Sequence, residues 1–348
     1  MNPGFHKSFG ASFRQVEPLE IEWPSYYESV ESEYHILKNA GLIDFSLYGR
    51  IRFKGNDVLD FLNRLSTNDV KSMSDGDVCV TVLTNEKGRI IDSVRLFKDS
   101  ECIWMICAPQ NDKKVFQWLD RYIIRDDVKM EVVTESWDQF EITGDQATVV
   151  LQKLFGKIPS KGKFQKVIFE QNDLIISSSN ILKIPCFTII APQSTSSKLW
   201  SQLSMSGAKA CGWDAYNILR IEQKIPLYPY ELSDKFNPLE AGLYEAVSFT
   251  KGCYIGQEVI ARLDSYNKVQ RQLHLFELDD QVSFENKILA DDKEIGIITS
   301  SVFSIMHKRN IGLGYVKTEF VKNNARFTIL ERSKKISCTI LNSELKAS

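Results

Sequence analysis

An apolar run of about 18 residues, enough to cross a bilayer as a helix, is missing from the sequence. So is the apolar core of a secretory signal near Met1, and so is an Arg-rich amphipathic targeting segment. A soluble, cytoplasmic protein is therefore expected. Histidine is scarce: His6, His35, His274 and His307 are too scattered for imidazole catalysis or a His-rich metal site, and surface or helix positions are expected for them. The cysteines, at 79, 102, 107, 186, 211, 253 and 338, are odd in number and include no C-x-x-C pair. That argues against a disulfide framework and a ribbon-type zinc site, and suits free thiols in a reducing compartment. Glycine patterns that cradle phosphates are missing too. Gly312 and Gly314 lack a third glycine and a following helix, and there is no H-E-x-x-H, G-x-S-x-G or Walker lysine motif. Nor is there a charge excess. Lys and Arg number 43 against 45 Asp and Glu, a net charge of −2, so no general attraction to nucleic acid or to an anionic membrane is expected.

What is present is an ordinary globular composition, 43% hydrophobic and 25% charged. The 348 residues suffice for two or three domains at about 150 residues each. Residues 27–40 carry Val30, Tyr34 and Leu37 at helical spacing. Residues 43–53 read as one strand, with Ile51 and Phe53 alternating with Arg50 and Arg52. Residues 78–84 and 90–97 form an expected hairpin through Asn85-Glu86-Lys87-Gly88, whose glycine suits a turn with positive φ. Helices are expected over 58–65, 113–124, 147–155, 194–205 and 214–223. Beyond Arg271 short β-type runs alternate with polar turns, the pattern of a small barrel or sandwich. Helices and strands mix without strict βαβ alternation, so the class is α+β. Residues 1–270 are expected to form one region of two intertwined subdomains, and residues 271–348 a separate barrel.

The run Lys251-Gly252-Cys253-Tyr254-Ile255-Gly256-Gln257-Glu258 concentrates chemistry. Its glycines permit a tight turn or a close backbone approach. A cysteine just ahead of a helix N-terminus, with Lys251 beside it, has its thiolate stabilised and becomes nucleophilic, oxidisable or able to hold a metal transiently. The alternative is a small apolar residue in a turn. Stable cluster binding by this chain alone is not expected, because such clusters need about four protein ligands.

That run resembles the K-G-C-Y-x-G-Q-E signature of the YgfZ proteins, which are similar to the folate-dependent aminomethyltransferase (T-protein) of the glycine cleavage system. The resemblance extends through Asp44-Phe45-Ser46, Arg50 to Gly55 and Leu65 to Val70. It continues through Leu83 to Asp92, Arg220-Ile221-Glu222, Ile225-Pro226 and Asn237 to Leu243. Ile298-Thr299-Ser300 and Ile311 to Val316 resemble the family's C-terminal barrel. The implied fold has three domains around a central hole that binds tetrahydrofolate or a one-carbon derivative.

By the same resemblance, Glu222 is the carboxylate that accepts the pterin N3–H and 2-amino group in bidentate fashion. An exposed helix acid is the competing reading. Asp92 matches the transferase's essential carboxylate near the folate nitrogen that takes up the one-carbon unit, where it steadies positive charge or handles a proton. The competing reading is a solvent-facing polar residue at a strand end. Tyr254 and Arg262 are carried as the stacking ring and the cation for the glutamate tail. Two departures point away from glycine cleavage: Ser93 stands where the transferase has a second Asp, and Cys253 with Gln257-Glu258 is atypical of that enzyme. The resemblance thus implies an accessory of iron–sulfur cluster assembly or repair that supports cluster-dependent enzymes such as tRNA-thiolating ones. Iron–sulfur proteins or assembly factors are the expected partners, and a monomer the expected state. A folate-dependent aminomethyl or methyl transferase and a non-catalytic interaction scaffold are the alternatives.

Overall fold

The hairpin expected at residues 78–97 forms because its turn is satisfied locally. In the computed structural model, which describes residues 3–179, 182–265, 269–321, 326–332 and 334–341, strands Val78–Thr84 and Ile90–Lys98 pair. The Asn85 side chain accepts the N–H groups of Lys87 and Arg89, both at 3.0 Å. Gly88 sits at φ +67°, a conformation that strains any residue with a Cβ.

The chain divides into two units. The first comprises Met1–Leu83, Asp92–Tyr216 and Ala246–Ile255, and the second Thr84–Ile91, Asn217–Glu245 and Gly256–Ser348.

Two sheets form the core of the first unit. A six-stranded sheet runs in the spatial order Phe164–Phe169, Asn172–Ser179, Cys186–Pro192, Trp137–Thr143, Gly41–Asp44 and Lys209–Ala210. Helices Ala147–Phe155 and Gln193–Met205 cover one face, burying Val150, Leu151, Leu199, Trp200 and Leu203 against Ile142, Ile176 and Ile189. The five-stranded sheet holds the hairpin, Ile103–Pro109, Tyr48–Lys54 and Lys129–Val132. Phe97, Trp104 and Ile106 from this sheet cluster with Phe164, Ile175 and Ile190 from the other.

The second unit is built on a closed barrel of six strands, Arg271–Leu278, Asn286–Ala290, Lys293–Ser304, Arg309–Lys317, Arg326–Glu331 and Lys334–Ile340. Alternation sends Phe276, Ile288, Ile298, Phe327, Ile329 and Ile336 into its interior. Closure removes the exposed edges that an open sheet of this size presents, and decides for the barrel over the sandwich.

Several local expectations shift. The first long helix is Val30–Asn39, because the Ser29 hydroxyl caps it by accepting the Ser32 N–H. The strand expected over 43–53 is two strands in different sheets, Gly41–Asp44 and Tyr48–Lys54. The break is a turn in which Asp44 Oδ1 accepts the Ser46 N–H at 2.7 Å and Tyr48 N–H donates to Phe45 O. Arg50, expected on a polar face, is wholly buried and donates through Nη2 to the Ser46 and Thr134 carbonyls. Burial lowers its pKa to about 10 against the pull of Asp138, Asp44 and Asp112. His6 lies on helix Pro3–Ser8, one of the two settings expected for it, and is buried there between Asp44 Oδ2 at 2.6 Å and the Tyr27 hydroxyl at 2.8 Å.

Candidate functional site

The first unit brings two of the sequence's motifs together. Lys251 Nζ donates to three carbonyl oxygens: Asn63 at 2.6 Å in the last turn of helix Val58–Leu65, and Ser66 at 2.8 Å and Asn68 at 2.6 Å in the Leu65 to Val70 motif. The segment on either side is tied down as well. Thr67 donates its hydroxyl to Ala246 O, Ser248 N–H donates to Thr67 O, and Ile255 N–H donates to Arg64 O. Burial draws the Lys251 ammonium to about 8, against the opposing pull of Asp69 and Cys79. The ammonium also lies 5.2 Å from the centre of the Tyr254 ring. Tyr254 is 8% exposed, and burial raises its phenol to about 12. Between these two anchors Gly252 and Cys253 stay exposed.

Asp92 lies on the strand Ile90–Lys98 and is wholly buried, so the solvent-facing reading does not hold. Its Oδ2 accepts the Ala108 N–H at 3.0 Å and Asn111 Nδ2 at 2.8 Å. Its Oδ1 has no hydrogen-bond partner among the described residues. Desolvation raises the carboxyl to about 7, with the Asn111 and backbone bonds opposing. A buried carboxyl raised toward neutrality by desolvation is suited to taking up or releasing a proton. Ser93 is next on the strand and turns to the opposite face.

In the second unit, helix Gln257–Ser265 begins immediately after Gly256. Gly256 has φ +82°, and a Cβ there would meet Asn85 O at 2.6 Å and Gly88 Cα at 3.0 Å. This glycine is required by close approach, whereas a Cβ on Gly252 would meet nothing within 4 Å. Cys253 precedes the first helical residue, outside the first turn in which a helix dipole acts. Glu258 and Arg262 lie exposed on this helix.

Glu222 ends helix Trp213–Glu222 and is 8% exposed, so it is no exposed helix acid. Its Oε1 accepts the Ser304 hydroxyl at 2.6 Å and the Met306 N–H at 3.1 Å, fastening the turn after strand Lys293–Ser304. Arg220, wholly buried, pairs with Glu231 at 2.9 Å and donates to Ser300 at 3.0 Å. Glu231 Oε1 also accepts the Thr299 and Ser300 hydroxyls. Sequence reasoning passed over Glu231, an acid beyond two prolines from its arginine.

The structure therefore gathers Lys251, Tyr254 and Cys253 with the end of helix Val58–Leu65 and residues 66–68 in one unit, where Asp92 also lies. It places Glu222, Gly256, Gln257, Glu258 and Arg262 in the other. Among the described residues no group of three or more His, Cys, Asp and Glu side chains is placed to hold a metal ion. No helix among them is long and apolar enough to cross a membrane.

Residues 4–251 match the GCVT N-terminal domain family, and residues 271–345 the glycine cleavage T-protein C-terminal barrel domain. An aminomethyltransferase of Caldanaerobacter subterraneus is 30% identical over 331 residues, 92% of this chain and 88% of its own. One from Leptospira biflexa is 29% identical over 343 residues, 95% of this chain and 92% of its own. A putative chloroplastic transferase of Arabidopsis thaliana is 30% identical over 282 residues, 80% of this chain and 65% of that one. Among solved structures, glycine cleavage system aminomethyltransferase T from Bartonella henselae superposes with a TM-score of 0.88 over 98% of this chain and 95% of that one, at 20% identity. The two share a fold.

Proposed function

We propose, from the premise that this chain belongs to the glycine cleavage T-protein family of aminomethyltransferase-like proteins, that it binds tetrahydrofolate or a one-carbon derivative and acts in the YgfZ manner. In that role it supports iron–sulfur cluster assembly or repair through the Cys253 thiol. The observation that carries this reading is the presentation of Cys253. Lys251 is locked by three carbonyls and Tyr254 is buried, so the residues between them are displayed at the surface rather than packed. A fixed, exposed cysteine reaches a protein partner's thiol or cluster, which a packed one does not.

Glu222 stays the proposed acceptor for the pterin by its place in the Arg220-Ile221-Glu222 run, since a carboxylate can accept an N–H and a 2-amino group side by side. Tyr254 and Arg262 remain proposed contacts for the ring and the tail. The test is a Cys253→Ala variant in a deletion strain. Iron–sulfur enzyme activity and tRNA thiolation should fall while folate binding persists, and full rescue by the variant would remove the thiol from the account.

Asp92 supports a second reading, a folate-dependent aminomethyl or methyl transferase. A buried carboxyl raised to about 7 is the group such chemistry uses near the reacting nitrogen. Formation of methylene-tetrahydrofolate from an aminomethyl donor, abolished in Asp92→Asn, would establish that reading over the accessory one.

A further inference from the structure

We propose that the second unit carries a binding site for a multiply charged anion, in the cleft where Arg89 and Arg271 converge on Glu240. The cleft measures about 690 Å³, within the roughly 300–1,000 Å³ of small-molecule sites. Its lining holds the cations Arg89, Lys235, Arg271 and Lys317 and the acids Asp234 and Glu294. Glu294 is paired with Lys287 at 2.7 Å, and Lys235 with Glu285.

The run Asn237 to Leu243, one of the motifs of the sequence, builds the clamp. Asn237 Oδ1 accepts the N–H groups of Leu239 and Glu240, both at 3.0 Å, and the Glu240 carboxylate accepts the Asn237 N–H at 3.0 Å. Glu240 is 6% exposed and held on both sides. Its Oε2 accepts Arg89 Nη1 at 3.3 Å, and its Oε1 accepts Arg271 Nε at 3.0 Å. The Lys235 carbonyl accepts from each arginine as well. One carboxylate thus orients two guanidinium groups without neutralising both.

Each guanidinium has five N–H donors, and Arg89 and Arg271 remain 36% and 33% exposed. Donors unused by Glu240 and Lys235 are therefore accessible and pre-oriented, which lowers the entropy lost on binding. The floor offers no ring face. Phe236 and Tyr315 stack on one another at 3.7 Å and are buried, and Arg271 lies 4.8 Å from the Phe236 ring. Recognition rests on charge, so the ligand carries two or more carboxylate or phosphate groups.

Two sources supply that chemistry. The γ-glutamyl chain of a folate is one, and choosing it rests on the folate reading above; a phosphate-bearing small molecule is the other. Calorimetric titration of the full chain with tri-γ-glutamate and, separately, with inorganic diphosphate distinguishes them. At least one probe is expected to bind, and binding by only one names the source. Arg271→Ala should weaken it about tenfold or more and Lys317→Ala, outside the clamp, about threefold. Added salt should weaken it further. Silence of both probes at about 1 mM overturns the site, and so does unchanged binding in Lys317→Ala or in a folded Arg271→Ala protein. Tetrahydrofolate is titrated in parallel. Its failure to bind while a probe still binds strikes the folate reading and leaves the anion site standing.

Discussion

Lys251 donates from Nζ to the carbonyl oxygen of Ser66 at 2.8 Å across 185 residues of sequence, joining the loop after helix Val58–Leu65 to the segment that displays Cys253. The same ammonium holds Asn63 O and Asn68 O. Lys251→Met keeps the apolar stem and strands three carbonyls, so a loss of about 1–3 kcal/mol is expected in urea denaturation. Lys251→Arg should not restore the wild-type value, because a planar fork cannot reproduce three bonds converging on one atom. A change within experimental scatter for Lys251→Met would show that the loop holds itself.

Burial raises the Asp92 carboxyl to about 7, against 3.8 when free in solution. The folded state keeps a proton that the unfolded chain releases at lower pH, so stability falls as pH rises from about 4 through 7 and levels off above. The slope attributable to this group is about 1 kcal/mol per pH unit. Asp92→Asn should flatten that slope in denaturation curves at pH 5 and pH 7. An identical slope in the variant would place the titration elsewhere.

Cysteine accessibility makes a separate forecast. Cys253 is exposed, Cys79 and Cys102 are part-buried, and the other four are buried. Burial raises the Cys79 thiol to about 11 and raises Cys102 as well, which disfavours their thiolates. One fast equivalent is expected with a disulfide reagent at pH 8, and Cys253→Ala should abolish it without moving the melting temperature. A fast phase that survives the substitution would contradict the exposure assigned here.

The Arg220–Glu231 pair is fully buried and extensively hydrogen-bonded. Removing one partner leaves an uncompensated charge, so Arg220→Met should cost about 3–5 kcal/mol. Glu222→Gln keeps an acceptor for Ser304 and Met306 and should cost about 1 kcal/mol or less. Equal losses in the two variants would mean that the buried pair is not the principal tie of this segment.

Local chemistry is what the sequence made legible. Helix Ala147–Phe155 begins and ends where its apolar spacing indicates, and Asn85 with Gly88 announces the hairpin turn. Strand Asn286–Ala290 escaped notice because its turn into the next strand uses Asp291 and Asp292, both at positive φ, without the glycine that usually marks such turns. The hairpin of Ser12–Val16 and Ile21–Tyr26 is short and lacks clean alternation. At the site, the residue types of the signature were readable, but the partners of Lys251 were not. They are main-chain carbonyls far away in sequence, and no side-chain pattern records them. The depth of Asp92 and Arg50 was hidden likewise, since the bonds each makes, through Asp92 Oδ2 and Arg50 Nη2, run to groups on other elements.

Titration of the full chain with tetrahydrofolate, followed by calorimetry and thermal shift, tests the central claim most directly. Saturable one-site binding is predicted, and it should persist in Cys253→Ala, because the thiol is assigned to the partner and not to the pterin. Absence of heat together with an unchanged melting temperature would contradict the folate reading itself.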